Sequence, residues 1–125
     1  MNDFKFEDIM RFVNGEYKKL YSITKYDGKE HSITIPDFIE DLKVYEIGNY
    51  CFDKNDLIEE VILPSTICSI GSGAFSFCKN LKNINLNSIN YIDANSFAYS
   101  GMLKIFSLLV NILYNIFIVI EVKEN

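Results

Sequence analysis

The stretch Leu63-Pro64-Ser65-Thr66-Ile67-Cys68-Ser69-Ile70-Gly71-Ser72-Gly73-Ala74-Phe75-Ser76-Phe77-Cys78-Lys79-Asn80-Leu81-Lys82-Asn83-Ile84-Asn85-Leu86 decides the fold, because its landmarks return on either side of it. Ile70-Gly71 is preceded by Ile47-Gly48 and followed by Ile92-Asp93. Phe75 stands 23 residues after Phe52 and 22 residues before Phe97. Leu81-Lys82-Asn83-Ile84-Asn85-Leu86 has counterparts in Ile58-Glu59-Glu60-Val61-Ile62-Leu63 and in Leu103-Lys104-Ile105-Phe106-Ser107-Leu108. A fixed period in this range marks a solenoid, in which each unit buries its apolar face only against its neighbours.

Within each unit the apolar residues alternate with one intervening residue, which puts them on one face of a short strand. The inward set is Ile33, Ile35, Val61, Leu63, Ile84, Leu86, Phe106 and Leu108. The outward set is Thr34, Ile62, Asn85 and Ser107. Pro36 and Pro64 follow the first two strands, lack a backbone donor and end the ladder there. A second apolar pair follows, Val44 with Ile47, Ile67 with Ile70 and Ile89 with Ile92. The next position holds Gly48, Gly71 and Asp93, which suggests a turn needing positive φ. Then come Cys51-Phe52, Ala74-Phe75 and Ser96-Phe97, small residues that let coils approach and rings that fill the convex side of the core. Three residues beyond each ring, Asn55, Cys78 and Ser100 can each offer a polar atom to a turn.

The two ends depart from the period. Residues 1–32 read as an N-terminal cap punctuated by Asn14-Gly15 and Asp27-Gly28, both suited to two-residue hairpin turns. Leu20 to Tyr26 alternates like a strand, while Ile9, Phe12, Val13, Tyr17 and Leu20 also fit one helical face. Gly15 and the β-branched stretch after it favour hairpins. About three coils are expected over residues 33–108. Residues 109–125 then form a degenerate last coil or an apolar tail. Ile105 to Ile120 carries no charge, and three readings of it stay open: a capping coil, a membrane or buried helix, or a truncated remnant of a longer array. Sixteen residues fall short of the ~20 that span a bilayer.

Bulk properties narrow the function. The 125 residues suffice for one domain with a modest core. A net charge of -5, with Lys18-Lys19 the longest basic run, argues against nucleic-acid binding. No basic, continuously apolar secretory leader opens the chain, which favours the cytoplasm while leaving cell surface or membrane open. Cys51, Cys68 and Cys78 lack the paired short spacings of zinc sites, and an odd count argues against a disulfide framework.

Catalytic readings are weak. Glu59 and Glu60 resemble an acid/base pair, but adjacent strand residues point to opposite faces. His31 has no serine or cysteine partner at an interpretable spacing. Gly71-Ser72-Gly73 has no lysine where a phosphate loop needs one. No catalytic residue, metal site or cofactor is therefore assigned.

The combined motif, from Tyr26-Asp27-Gly28 through Ile33-Thr34-Ile35-Pro36 to Leu108, resembles the BspA-like, or Treponema-type, leucine-rich repeats over about residues 22–108. The resemblance implies a mainly β, right-handed solenoid with a parallel strand ladder on one face. It also implies binding of other proteins or host surfaces, without catalysis. The expected contact rows on the ladder are Ser32, Glu60, Asn83, Ile105 and Thr34, Ile62, Asn85, Ser107, with Tyr45, Tyr50, Tyr91 and Tyr99 as further candidates on loops. The partner is thus a protein of unknown identity. A monomer is expected unless the C-terminal edge pairs, and membrane contact is open only through residues 105–120.

Overall fold

The computed structural model describes residues 3–103, together with 106, 109 and 111–113. Among the described residues nine strands appear in chain order: β1 Phe4–Val13, β2 Glu16–Tyr26, β3 Ser32–Thr34, β4 Phe38–Ile39, β5 Leu42–Ile47, β6 Glu60–Ile62, β7 Ser69–Ile70, β8 Asn83–Ile84 and β9 Tyr91–Ile92. They form two ladders, a front one of β3-β6-β8 and a back one of β2-β5-β7-β9, all parallel. The sequence anticipated the front ladder. The second apolar pair of each unit forms the back ladder, a sheet too short to show alternation of its own.

The outermost back strand is an antiparallel hairpin, β1 with β2, paired from Phe4↔Tyr26 to Val13↔Glu16. Asn14 and Gly15 both take positive φ, 51° and 86°, as a two-residue turn between right-twisted strands requires. Hairpin wins over helix here. The second expected hairpin does not form, because Asp27-Gly28 leads from the back ladder to β3 without pairing β2 to it. Gly28 has no positive φ; a Cβ there would collide with the Tyr26 ring.

The core lies between the ladders. Ile33, Ile35, Val61 and Leu63 from the front meet Val44, Ile47, Ile67 and Ile70 from the back, all at most 4% exposed. On the third side Phe52, Phe75 and Phe97 stack in one column, with centroids 5.0 and 5.3 Å apart and planes within 8°. That spacing matches the ~4.8 Å rise between adjacent strands, so the rings follow the backbone repeat. Tyr26 extends the column at one end at 5.4 Å, and Phe106 meets Phe97 edge-on at 5.8 Å at the other.

The ring-bearing turns are laddered too. Tyr50, Phe52 and Lys54 donate N–H bonds to Ser72, Ala74 and Ser76 of the next coil, while Cys51, Asp53 and Asn55 bond back three residues within their own coil. Tyr50, Lys54, Phe77 and Tyr99 adopt left-handed φ of 56–63°. The positive φ therefore sits two residues after Gly48 and Gly71, or two after each column ring, and not at the glycines themselves. Gly48 is small for another reason: a Cβ would lie 2.9 Å from the Ile23 carbonyl oxygen, which accepts the Gly48 N–H at 2.7 Å.

Where the last coil was expected, the described residues do not form a strand. Gly101, Met102, Leu103, Phe106, Leu109 and 111–113 are helical, so Phe106 reaches the core from a helix where a strand was expected. Ile112, aligned by the period with buried Ile67, is 53% exposed. Ile105, Ser107, Leu108 and residues 114–125 of the expected capping coil or apolar tail lie outside the described residues.

Candidate functional site

The front ladder positions the expected contact rows. Its register aligns Ser32 with Glu60 and Asn83, and Thr34 with Ile62. Inward Ile33 and Val61 are buried, which forces Thr34 and Ile62 outward, Ile62 being 43% exposed. Glu60, Ile62, Asn83 and Asn85 line one shallow depression of about 580 Å³. Thr34 borders Ile62 in register, and Ser107 lies outside the described residues.

Three members of the rows are partly committed to structure. Asn85 accepts the Leu63 N–H through Oδ1 at 2.7 Å and donates through Nδ2 to the Leu63 carbonyl at 2.8 Å. Its amide thus prolongs the ladder where β8 has ended. Ser32 donates to Glu60 Oε1 at 2.8 Å, which orients the carboxylate along the row. The free surface consists of Thr34, Ile62, Asn83 and the remaining oxygen of Glu60.

Glu59 and Glu60 diverge as alternation demands. Glu59 receives Lys82 Nζ at 3.1 Å and faces His31 Nδ1 at 3.2 Å, at the corner leading into the ladder. The Lys82 ammonium, by hydrogen bond and charge, holds the Glu59 carboxyl below its ordinary range. The pair is therefore a surface ion cluster and a ladder residue, with no shared substrate position. Among the described residues no group of histidine, cysteine or acidic side chains could hold a metal ion.

The tyrosines divide. Tyr45 and Tyr91 belong to β5 and β9, contrary to the loop placement expected for them. Tyr45 is half-buried, and its hydrogen bond with Cys68, aided by burial, pushes its hydroxyl up. Tyr50 and Tyr99 do sit in turns, 58% and 73% exposed. Tyr99 stacks on Phe77 at 5.0 Å. Phe77 was missed although Tyr99 follows it at the period, because the preceding counterpart is Lys54 and the aromatic repeat is only two coils long.

Asn55, Cys78 and Ser100 act as expected. Asn55 Oδ1 accepts the N–H groups of Leu57 and Ile58 at 3.0 and 3.1 Å, Ser100 Oγ accepts that of Met102 at 3.2 Å, and Cys78 Sγ donates to the Phe52 carbonyl at 3.0 Å. The Asn55 and Ser100 contacts close their own turns, whereas the Cys78 contact joins two coils.

Comparison with known proteins agrees with this geometry. A family model described as BspA type leucine rich repeat region (6 copies) matches residues 18–118. No curated protein matches. The chain is similar to the Treponema pallidum leucine-rich repeat protein, with 26% identity and a TM-score of 0.66 over 78% of this chain and 44% of that one. It is similar to a leucine-rich cell surface protein of Faecalibacterium prausnitzii, with 30% identity and a TM-score of 0.56 over 80% of this chain and 24% of that one. A leucine-rich repeat protein of Bacteroides capillosus shares the fold, with 20% identity and a TM-score of 0.52 over 73% of this chain and 91% of that one. The chain spans less than half the length of the first two. A stacked phenylalanine column, two parallel ladders and a match over most of its length lead to one conclusion: the chain belongs to the BspA-type leucine-rich repeat family.

Proposed function

We propose that this chain is a non-enzymatic protein-interaction module that engages its partner through the front ladder. The observation that carries the reading is the aligned outward rows, Ser32-Glu60-Asn83 beside Thr34-Ile62, on a sheet backed by buried Ile33 and Val61. Such rows present side chains at a fixed ~4.8 Å interval, which suits an extended protein surface. Ile62 supplies the apolar centre and the polar neighbours supply register.

A photo-crosslinking residue placed at Ile62 tests this. A discrete adduct with a protein from the native host, lost when Asn83→Arg is added, supports it. No adduct from position 62 alongside a strong one from position 99 overturns it, and moves the contact to the Phe77–Tyr99 pair.

A second reading places the module on a cell surface. It is favoured by the similarity to the Faecalibacterium prausnitzii cell surface protein. Among the described residues no helix is long and apolar enough to cross a membrane. Protease treatment of intact cells that leaves the chain whole, while lysed cells lose it, would remove this reading.

A further inference from the structure

The back ladder carries a groove that the front-ladder reading does not use. It has a volume of about 510 Å³ and runs across β2, β5, β7 and β9 beneath side chains from β1. Its floor is the register row Ser22, Glu46, Ser69 and Tyr91, one residue from each coil. Four rungs at about 4.8 Å give a floor roughly 14 Å long, which accommodates about four extended residues. One wall is built by the hairpin: Arg11 reaches past β2 to bond Glu46 Oε1 at 3.0 Å, so β1 leans over the sheet.

Charge and polarity define the guest. The groove is lined by three carboxylates, Glu7, Glu46 and Asp93, against one cation, Arg11, which Glu46 already engages. Two negative charges remain to be met. Tyr91, 59% exposed, stands beside Asp93, with the two side-chain oxygens 3.5 Å apart. A ring face next to a carboxylate suits a guanidinium or ammonium group. Ser22 lines the same groove with only 3% exposure.

We propose that this groove binds an extended, basic polypeptide segment, its arginine or lysine side chains meeting Glu7 and the Tyr91–Asp93 pair while its backbone meets Ser22. The proposal concerns a different face from the front ladder and stands or falls separately.

The test uses the full chain and two labelled peptides of about eight residues, one alternating arginine with serine and glycine, the other carrying glutamate in place of each arginine. Binding is followed by fluorescence anisotropy and by amide shifts of the isotope-labelled protein. The basic peptide is expected to bind at low salt and to shift Ser22, Gly48 and Gly71, while the acidic peptide does neither. Glu7→Gln with Asp93→Asn is expected to weaken binding about tenfold, equivalent to ~1.4 kcal/mol. A charge-matched control, Asp41→Asn with Asp56→Asn, should leave it unchanged. The proposal is overturned if the basic peptide does not bind. Equal weakening by the control pair, or amide shifts confined to Asn83 and Asn85, also sinks it.

Discussion

At the scale of single residues the decisive contacts are the rings of Phe52, Phe75 and Phe97. Phe75 is fully buried and flanked by a parallel ring on both sides, whereas Phe97 is 6% exposed and meets a perpendicular ring on its outer side. Removing a buried phenylalanine side chain costs about 3–5 kcal/mol, more where the neighbours cannot collapse into the gap. Ladders on both sides hold the coils next to Phe75 in register, so relaxation is least there. Phe75→Ala should therefore lose about 4 kcal/mol in urea unfolding and Phe97→Ala about 3. Equal losses would mean that the column does not act as a stack. The strained φ of Lys54, Phe77 and Tyr99 belongs to the same scale. It was illegible in the sequence because none of the three is the glycine or asparagine that usually marks that conformation.

Among elements, the hairpin shows what could and could not be read in advance. Asn14-Gly15 announces its turn through chemistry local to two residues, and the structure places the turn there. Asp27-Gly28 carries the same local signal, yet the chain there crosses between ladders, because Ile33 and Ile35 are claimed by the core opposite β2. Local turn chemistry loses to burial when the two disagree. The front rows were legible because each inward residue recurs at the coil period, so their outward neighbours follow. The groove over the back ladder was not, since Glu7 and Arg11 come from a non-repeating strand and reach the row only through the hairpin's lean. Gly15→Ala tests the hairpin as a unit. A left-handed non-glycine residue costs roughly 1–2 kcal/mol, so amides of β1 should exchange faster while those of β6 and β7 keep their protection. Acceleration across all three strands would show that the hairpin and the coils open together.

For the whole molecule, burial among the described residues declines toward the C-terminal coil, and pH acts on stability from two sides. Ile47 and Ile70 are fully buried, but their successor Ile92 is 43% exposed, and Ile84 and Leu86 are half-buried where Val61 and Leu63 are enclosed. The central coils therefore carry the fold, and within them lie Cys51 and Cys78. Burial pushes both thiols up, that of Cys78 to about 12. In the unfolded chain they ionise at about 8.5, so between those values the folded state binds more protons than the unfolded one. Their contribution is complete below the unfolded pKa and is lost as pH rises toward the folded value. Glu59 works in the opposite direction: held low by Lys82, it adds stability above the ordinary carboxylate range that disappears as pH falls through its folded value. Because Glu59 is exposed and solvent screens it, the acid limb should be shallow. Urea midpoints measured across pH should accordingly be flat near neutrality and fall from about pH 9 upward. Cys51→Ala should flatten that alkaline fall while lowering the plateau through lost packing. In the folded protein an alkylating reagent should label the half-buried Cys68 first and reach Cys51 and Cys78 only on unfolding. Simultaneous labelling of all three under native conditions would contradict a closed core between the ladders.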